Sequence, residues 1–527
     1  MRQLSEDDAL FLYSDTAHSN SNVSLIQIYD PSTAPEGKVR FKSLLALIES
    51  RLHRSPIFRQ KLQRVPLGFD DPYWIEDENF DLEYHVRNIA LPKPGDWRQF
   101  CIQASRIHAR PLDLDRPLWE IYVIEGLDAL LDLPRDSFAL LTKLHHAAID
   151  VERGTEITML LHDTTPVPPP HEPPEPWFPA SPPSQLGLMY RGLMNRALSP
   201  LRLARPMTRA LWRLTPTALS LASEILVRPE HMPVTRFNAI VSPYRVFETR
   251  RFLLSEFKEI RALVKGATVN DAVLAVCGGA LRKYLELNDE LPEEGLHAIA
   301  PIYVRDPARG PGAKPEVSWV RPALGTEIPD AVARLAFIQQ QNASSEAMSL
   351  AIGARELTDL GTHAPAATLA LTGKMVGRAL LGIGRRAPLA NCAVANVPGP
   401  STPLYLNGAR MTYFSAIMPI NDGLGLVFAV TSYDGRIIIS PTSCREQMPD
   451  PEVFAQCVRE SFQEYLAAAR ASRNARATLP PAGAARPAQR GTSSAGKPGR
   501  KRQTAGTAAS APRAARAGPQ RSKTPSR

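Results

Sequence analysis

The sequence has few cysteines and no long apolar run, and both shortages narrow its class. The five cysteines among 527 residues are odd in number, widely spaced and never form a Cys-x-x-Cys pair. This pattern argues against a disulfide framework or a cysteine zinc site and favours a reducing compartment. No stretch of about 18 uninterrupted apolar residues occurs, so we expect no membrane-spanning helix. Residues 1–8 carry three acids and no apolar run, which does not fit a signal peptide.

Several well-known catalytic signatures are also missing. The chain contains no Gly-x-Ser-x-Gly elbow, no His-Glu-x-x-His pair, no P-loop and no Gly-x-Gly-x-x-Gly loop. These absences argue against a serine hydrolase of that type, a zinc protease, a P-loop nucleotidase and a dinucleotide-binding domain. We therefore expect no metal and no bound cofactor.

Acidic residues are absent from residues 471–527, which hold thirteen Arg or Lys. Subtracting this +13 from the total of +9 leaves −4 for residues 1–470. The folded part is therefore mildly acidic, and its charge gives no support for nucleic-acid binding. The Ala, Arg, Pro, Ser and Gly composition of 471–527 predicts a disordered basic tail.

Proline divides the chain into halves. Residues 164–183 are so rich in proline that they predict an extended linker, because proline donates no backbone hydrogen bond. We predict an N-terminal half at 1–163, a Pro-rich linker and basic amphipathic crossover at 164–240, and a C-terminal half at 241–470. Both halves mix strand and helix signals, which indicates a mixed α/β fold.

Apolar periodicity predicts the individual elements. Strands are expected at 24–29, 118–124, 138–144, 251–254, 426–432 and 436–440, and helices at 41–54, 155–161, 256–264, 269–287 and 451–469. The Asp-Gly pair between the last two strands is typical of a hairpin.

The most informative segment is 138–150. A predicted buried strand runs directly into His145 and His146, and Asp150 follows four residues after His146. Attack of a hydroxyl on a thioester needs a base, and imidazole can accept that proton and return it to the leaving thiolate. Asp150 would hold the turn that presents the base. The pattern alone is also typical of a structural His pair, so a catalytic interpretation needs further support.

Segment 145–151 resembles the His-His-x-x-x-Asp-Gly signature of the bacterial wax ester synthase/diacylglycerol acyltransferase family. Further blocks similar to those of this family follow in the same order along most of the chain. They lie at residues 4–11, 74–86, 111–127, 268–271, 301–305, 396–400 and 432–435. Seven ordered blocks make coincidence a poor explanation.

This resemblance implies the fold of coenzyme-A-dependent acyltransferases, with two similar chloramphenicol-acetyltransferase-like halves packed around a central tunnel. It implies transfer of a long-chain fatty acyl group from acyl-CoA, the co-substrate, to diacylglycerol, to a long-chain alcohol, or to both. The products would be triacylglycerol and wax ester. Two alternatives stay open: a transferase of the same fold with another acceptor, and a non-catalytic lipid-binding or lipid-droplet protein.

The resemblance also implies roles for individual residues. His146 would be the general base of a mechanism without a covalent intermediate, His145 a supporting residue and Asp150 a structural one. Arg305 is a hypothetical salt-bridge partner of Asp150. The remaining candidates are expected to support the site: Asn270 and Asp271 as a helix cap, and Asn396, Pro398 and Gly399 in a rigid turn or lining a gate.

One departure from the signature concerns the motif glycine, which is Val151 here. Glycine tolerates a positive φ and a close backbone approach, whereas a β-branched residue does not. We therefore expect a locally altered turn or a narrower tunnel beside His146.

The implied substrates dissolve poorly in water, so we expect a cytoplasmic protein that is peripherally associated with the inner membrane or with lipid inclusions. Residues 185–228 and 367–386 each combine Leu, Met or Ile with basic side chains, which suits a lipid surface. Ordinary packing inside the fold is the alternative for both segments. No nucleic-acid partner is expected.

Overall fold

A computed structural model of the chain describes residues 1–68, 70–127, 133–149, 156–167, 176–194, 232–304, 316–351, 388, 390–400 and 402–478. Asp150, Val151 and Arg305 lie outside these residues, as does the whole of segment 367–386.

The strands fall into three sheets. In chain order they are β1 (Arg2–Gln3), β2 (Asn22–Asp30), β3 (Gln60–Gln63), β4 (Tyr73–Glu76), β5 (Val86–Ala90), β6 (Trp119–Glu125), β7 (Phe138–His145), β8 (Arg245–Phe247), β9 (Arg250–Leu253), β10 (Ala298–Val304), β11 (Glu316–Val320), β12 (Cys392–Pro398), β13 (Tyr405–Leu406), β14 (Ala409–Ile417), β15 (Val427–Tyr433) and β16 (Arg436–Cys444). A small sheet has the order β1-β4-β3, a six-stranded sheet the order β13-β14-β2-β7-β6-β5, and a seven-stranded sheet the order β11-β10-β12-β15-β16-β8, with β9 also paired to β16.

The α-helices cover or flank these sheets. They are α1 (Glu6–Ser14), α2 (Phe41–Arg51), α3 (Leu82–His85), α4 (Trp97–Ala109), α5 (Glu156–Leu161), α6 (Leu254–Arg261), α7 (Val269–Leu287), α8 (Ala331–Ala351) and α9 (Pro451–Thr478). A further helical segment covers residues 185–194. No helix within the described ranges is long and apolar enough to cross a bilayer.

Strand β7 lies at the centre of the six-stranded sheet and is buried at every position. Leu140 and Leu144 belong to the core on one face of the sheet, and Ala139 and Leu141 to the core on the other. A near-continuous apolar run suits a strand that is covered on both faces. The exception is Lys143, whose ammonium pairs at 2.9 Å with Glu120 on the neighbouring strand. A buried cation needs such a partner.

The chain returns to the first sheet late in its course. Strand β14 pairs antiparallel with β2 from Arg410↔Asp30 to Ile417↔Ser24. Residues of the C-terminal half therefore complete the sheet that carries His145. The remaining C-terminal strands form the seven-stranded sheet, whose core is shared with α7 and α9.

The mixed α/β class is confirmed, and most predicted elements are found within a few residues of their expected bounds. The 269–287 helix is correct to the residue, and the Asp-Gly hairpin is β15–β16 with Asp434 at φ 44° and Gly435 at φ 73°. Three predicted helix ends were wrong: α2 stops at Arg51 and continues as a 3-10 turn, α6 stops at Arg261, and α9 runs past the predicted end to Thr478. The central tunnel stays a prediction.

Met1–Arg476 form one compact unit, and the residues after it lie almost entirely outside the described part of the chain. The predicted tail at 471–527 therefore begins inside a helix, because α9 continues to Thr478.

Candidate active site

The end of β7 delivers the His-His pair to a tight turn. His145 is the last residue of the strand, and His146–Ala148 form a single 3-10 turn. The backbone N–H of His146 donates to the carbonyl of Ser21 at 2.8 Å, and the N–H of Ile149 donates to the carbonyl of His146 at 3.0 Å. One hydrogen bond therefore closes the turn, and the other joins it to the residue before β2.

His145 is fully engaged in holding this turn. Its side chain is 1 % exposed, and its Nδ1 accepts a hydrogen bond from the backbone N–H of Ala147 at 3.1 Å. Since Nδ1 accepts, a ring proton lies on Nε2, which is 3.0 Å from Oδ2 of Asp15. The other carboxylate oxygen of Asp15 accepts from the N–H of Ser21 at 2.8 Å. Both ring nitrogens are occupied, so His145 is a positioning residue.

His146 is half-buried and makes different contacts. Its ring stacks on Phe11 with centroids 3.7 Å apart and an interplanar angle of 21°. Its Nδ1 is buried and makes no hydrogen bond of good geometry to any described residue. Burial, and to a smaller extent the neighbouring His145, lower its pKa to about 4, against a small opposing effect of its own backbone. The ring is therefore neutral at neutral pH and able to accept a proton.

Helix α1 supplies two contacts that the sequence analysis did not assign. Phe11 lies on this helix and Asp15 caps its C-terminal end, so the two residues are one helical turn apart. The helix is held by Ala9 and Leu12, which pack in one cluster with Ala147 of the turn. The role of Asp15 was missed because 130 residues separate it from His145. The only sequence signal is an aromatic and an acid at helical spacing.

The predicted Asp150–Arg305 salt bridge concerns two residues outside the described ranges. The carboxylate that contacts the His pair within them is that of Asp15.

A second group of predicted residues meets at the start of α7. Thr268 is the N-cap, and one oxygen of Asp271 accepts from the Thr268 N–H and hydroxyl, both at 2.8 Å. Its other oxygen accepts from the Asn342 amide at 2.7 Å. The expected capping role of Asp271 is therefore confirmed, whereas Asn270 points elsewhere: its amide oxygen accepts from Nδ2 of Asn396 at 3.0 Å.

The expectation of a rigid turn at 396–400 was wrong for its first three residues. Asn396, Val397 and Pro398 continue β12, in parallel register with Val430–Ser432 of β15. Pro398 is the last residue of the strand, where a missing N–H is tolerated. At Gly399 a side chain would overlap the backbone carbonyl of Ser432 and lie 2.9 Å from the Phe414 ring, so only glycine fits. Among described residues, no hydrogen bond joins this group to the His pair.

Known proteins share this architecture along most of their length. The wax ester synthase/diacylglycerol acyltransferase catalytic domain matches residues 4–273, and the C-terminal domain of the same family matches residues 316–465. A Mycobacterium tuberculosis (strain CDC 1551 / Oshkosh) protein, provisionally named a diacylglycerol O-acyltransferase, is 30% identical over 467 residues, covering 88% of this chain and 90% of that protein.

Solved structures of acyltransferases are similar to this chain as well. The wax ester synthase/diacylglycerol acyltransferase from Marinobacter aquaeolei VT8 superposes with a TM-score of 0.62 at 25% identity, covering 89% of this chain and 100% of that one. A trichothecene 15-O-acetyltransferase from Fusarium sporotrichioides, at 12% identity and a TM-score of 0.55, covers 89% of this chain and 94% of its own, and shares the fold alone. The chain belongs to the wax ester synthase/diacylglycerol acyltransferase family, and it is an acyltransferase.

Proposed function

We propose that this enzyme transfers a long-chain fatty acyl group from acyl-CoA to diacylglycerol, to a long-chain alcohol, or to both. Triacylglycerol and wax ester are the respective products. The observation that carries the proposal is the half-buried, neutral His146 ring, held on a fixed turn in a chain of this family. The names of the relatives support the choice of acceptors.

His146 acts as the general base in this mechanism. In this proposal Nε2 is the accepting nitrogen, because Nδ1 is buried within the protein. The acceptor hydroxyl gives its proton to Nε2 while its oxygen attacks the thioester carbonyl. The tetrahedral intermediate then expels the thiolate of CoA, the C–S bond breaks, and the imidazolium returns the proton to sulfur. No covalent acyl-enzyme forms, and no metal or cofactor is needed besides the acyl-CoA co-substrate.

The lowered pKa of His146 bears on both halves of this proton transfer. A pKa of about 4 leaves the free ring unprotonated at neutral pH. The imidazolium formed during the reaction is a stronger acid than that of an exposed histidine. It therefore readily protonates a thiolate whose thiol has a pKa of about 8.5.

We also propose that the enzyme works at a lipid surface, through the helical segment 185–194. Leu186, Tyr190 and Leu193 are 75%, 65% and 56% exposed and recur at helical spacing on one face. Leu188 on the other face is fully buried against Val65 and Tyr73. One face therefore anchors the segment to the protein, and the opposite face offers apolar side chains to an interface.

Replacing His146 by Ala should reduce thiol release from palmitoyl-CoA by about 10²–10⁴-fold, because the general base is lost. His53→Ala is the matched control, since His53 is exposed and remote in sequence from the turn. Release is measured with diacylglycerol, with hexadecanol and without acceptor, in the presence of EDTA. Acceptor-dependent release that His146→Ala abolishes is the expected result. Equal release by the variant and the wild type would rule out the mechanism. If neither diacylglycerol nor hexadecanol raises release above the rate without acceptor, both proposed reactions are ruled out.

The pH dependence of kcat/KM should reflect the depressed pKa of His146. A base is active when unprotonated, so the rate should stay level as the pH falls through 6.5 and halve only near pH 4. Folding must be monitored in parallel by circular dichroism. Burial lowers the pKa of His108 to about 3 and that of His162 to about 4, so the unfolded state binds more protons below pH 6.5 and stability falls toward pH 4. A half-point near pH 6.5 in folded protein would contradict the assignment.

The double substitution of Leu186 and Leu193 by Glu should weaken binding to diacylglycerol-containing vesicles by about tenfold or more, since two exposed apolar side chains are lost from the interface. Leu287→Glu, on α7 and 67% exposed, is the control for adding a surface charge. Co-sedimentation measures the bound fraction. Unchanged binding of the double variant would exclude this face as the contact.

A further inference from the structure

A basic cleft of about 570 Å³ opens between the edge strand β9, the start of α6 and one face of α9. Four arginines line it, Arg250, Arg251, Arg459 and Arg470, with Glu256 as the single acid. Its lining therefore carries three more positive than negative charges. None of its residues belongs to the site around His146.

Two of the four arginines are ion-paired, and Arg459 makes no polar contact with a described residue. Arg470 pairs with Glu256 at 3.2 Å. Arg250 pairs with Glu248, which lies outside the lining, and its Nε is buried without a partner in the described structure. Arg459 is exposed on α9 and makes neither a hydrogen bond nor an ion pair with any residue that the structure describes.

The floor of the cleft is apolar and rigid. Phe252 and Phe462 are almost completely buried, and their rings pack with centroids 4.2 Å apart. An apolar floor lowers the local dielectric constant, which strengthens the attraction of the arginines for an anion. The volume lies in the range of small-molecule sites. Planar guanidinium groups match the oxygens of phosphate better than a point charge does.

We propose that this cleft binds a phosphate-bearing ligand through a phosphomonoester or pyrophosphate group. A lining with four guanidinium groups and one carboxylate favours a group with two or more negative charges over a single carboxylate. Arg459 supplies the uncommitted guanidinium, and Glu256 limits the affinity because it occupies Arg470. A soluble phosphate compound and the headgroup of phosphatidic acid present the same chemistry.

Titration calorimetry of the full chain with sodium pyrophosphate tests the site. Arg459→Ala should weaken binding by about tenfold or more, because a charge-assisted contact is lost. Glu256→Gln should act in the opposite direction and tighten binding, because it removes the one acid and releases Arg470. Arg473→Ala is the matched control: Arg473 lies on the same helix, pairs with Glu259 and is not part of the lining.

A second arm identifies the source of the phosphate. Vesicles of phosphatidylcholine with and without phosphatidic acid are compared by co-sedimentation for the same variants. Saturable binding of pyrophosphate or of phosphatidic acid that Arg459→Ala weakens and Glu256→Gln strengthens supports the proposal, and the better probe indicates the source. The proposal is overturned if neither probe binds, or if Arg459→Ala binds both as tightly as the wild type while its unfolding midpoint is unchanged.

Discussion

The contact between Asp15 and His145 is the interaction on which the active site depends. His145 accepts from the backbone of its own turn on one side and donates to Asp15 on the other. Asp15 also accepts from Ser21, whose carbonyl receives the N–H of His146. The closed set of hydrogen bonds joins α1, the start of β2 and the end of β7. His146 is left as the member of the pair whose ring is not used to build the turn.

The surrounding fold lowers the pKa of the His146 ring. A central strand covered on both faces delivers the pair to the interior, and Phe11 stacks on the ring. Burial removes water from the imidazole and disfavours its charged form, so the pKa falls. The same burial would make an unpaired charge costly elsewhere on β7, which is why Lys143 is paired with Glu120. Burial in the fold therefore sets both the position and the protonation state of the His146 ring, the proposed base.

The sequence predicts what depends on local pattern and misses what depends on distant contacts. The β7 run and the 269–287 helix follow from periodicity, and His146 stands out because it directly follows a buried strand. Asp15 could not be found in this way, since its contact crosses 130 residues. The Pro-Gly-Pro series suggested a turn at 396–400, yet parallel pairing with β15 carries the strand to Pro398. At these residues the hydrogen bonds of a central strand outweigh the local preference for a turn.

The kcat of an Asp15→Asn variant tests this account most directly. Both carboxylate oxygens of Asp15 accept hydrogen bonds, whereas Asn offers only one acceptor oxygen. Its amide NH2 group would face either the Ser21 N–H or the His145 Nε2–H, which are donors themselves. The turn should therefore lose its alignment. We expect kcat for diacylglycerol-dependent thiol release to fall by about 100-fold, with the KM for palmitoyl-CoA unchanged and the protein still folded by circular dichroism. Asp136→Asn, at an exposed surface pair, should retain wild-type kcat. A wild-type kcat in Asp15→Asn would contradict the central claim that this carboxylate positions His146, the proposed catalytic base.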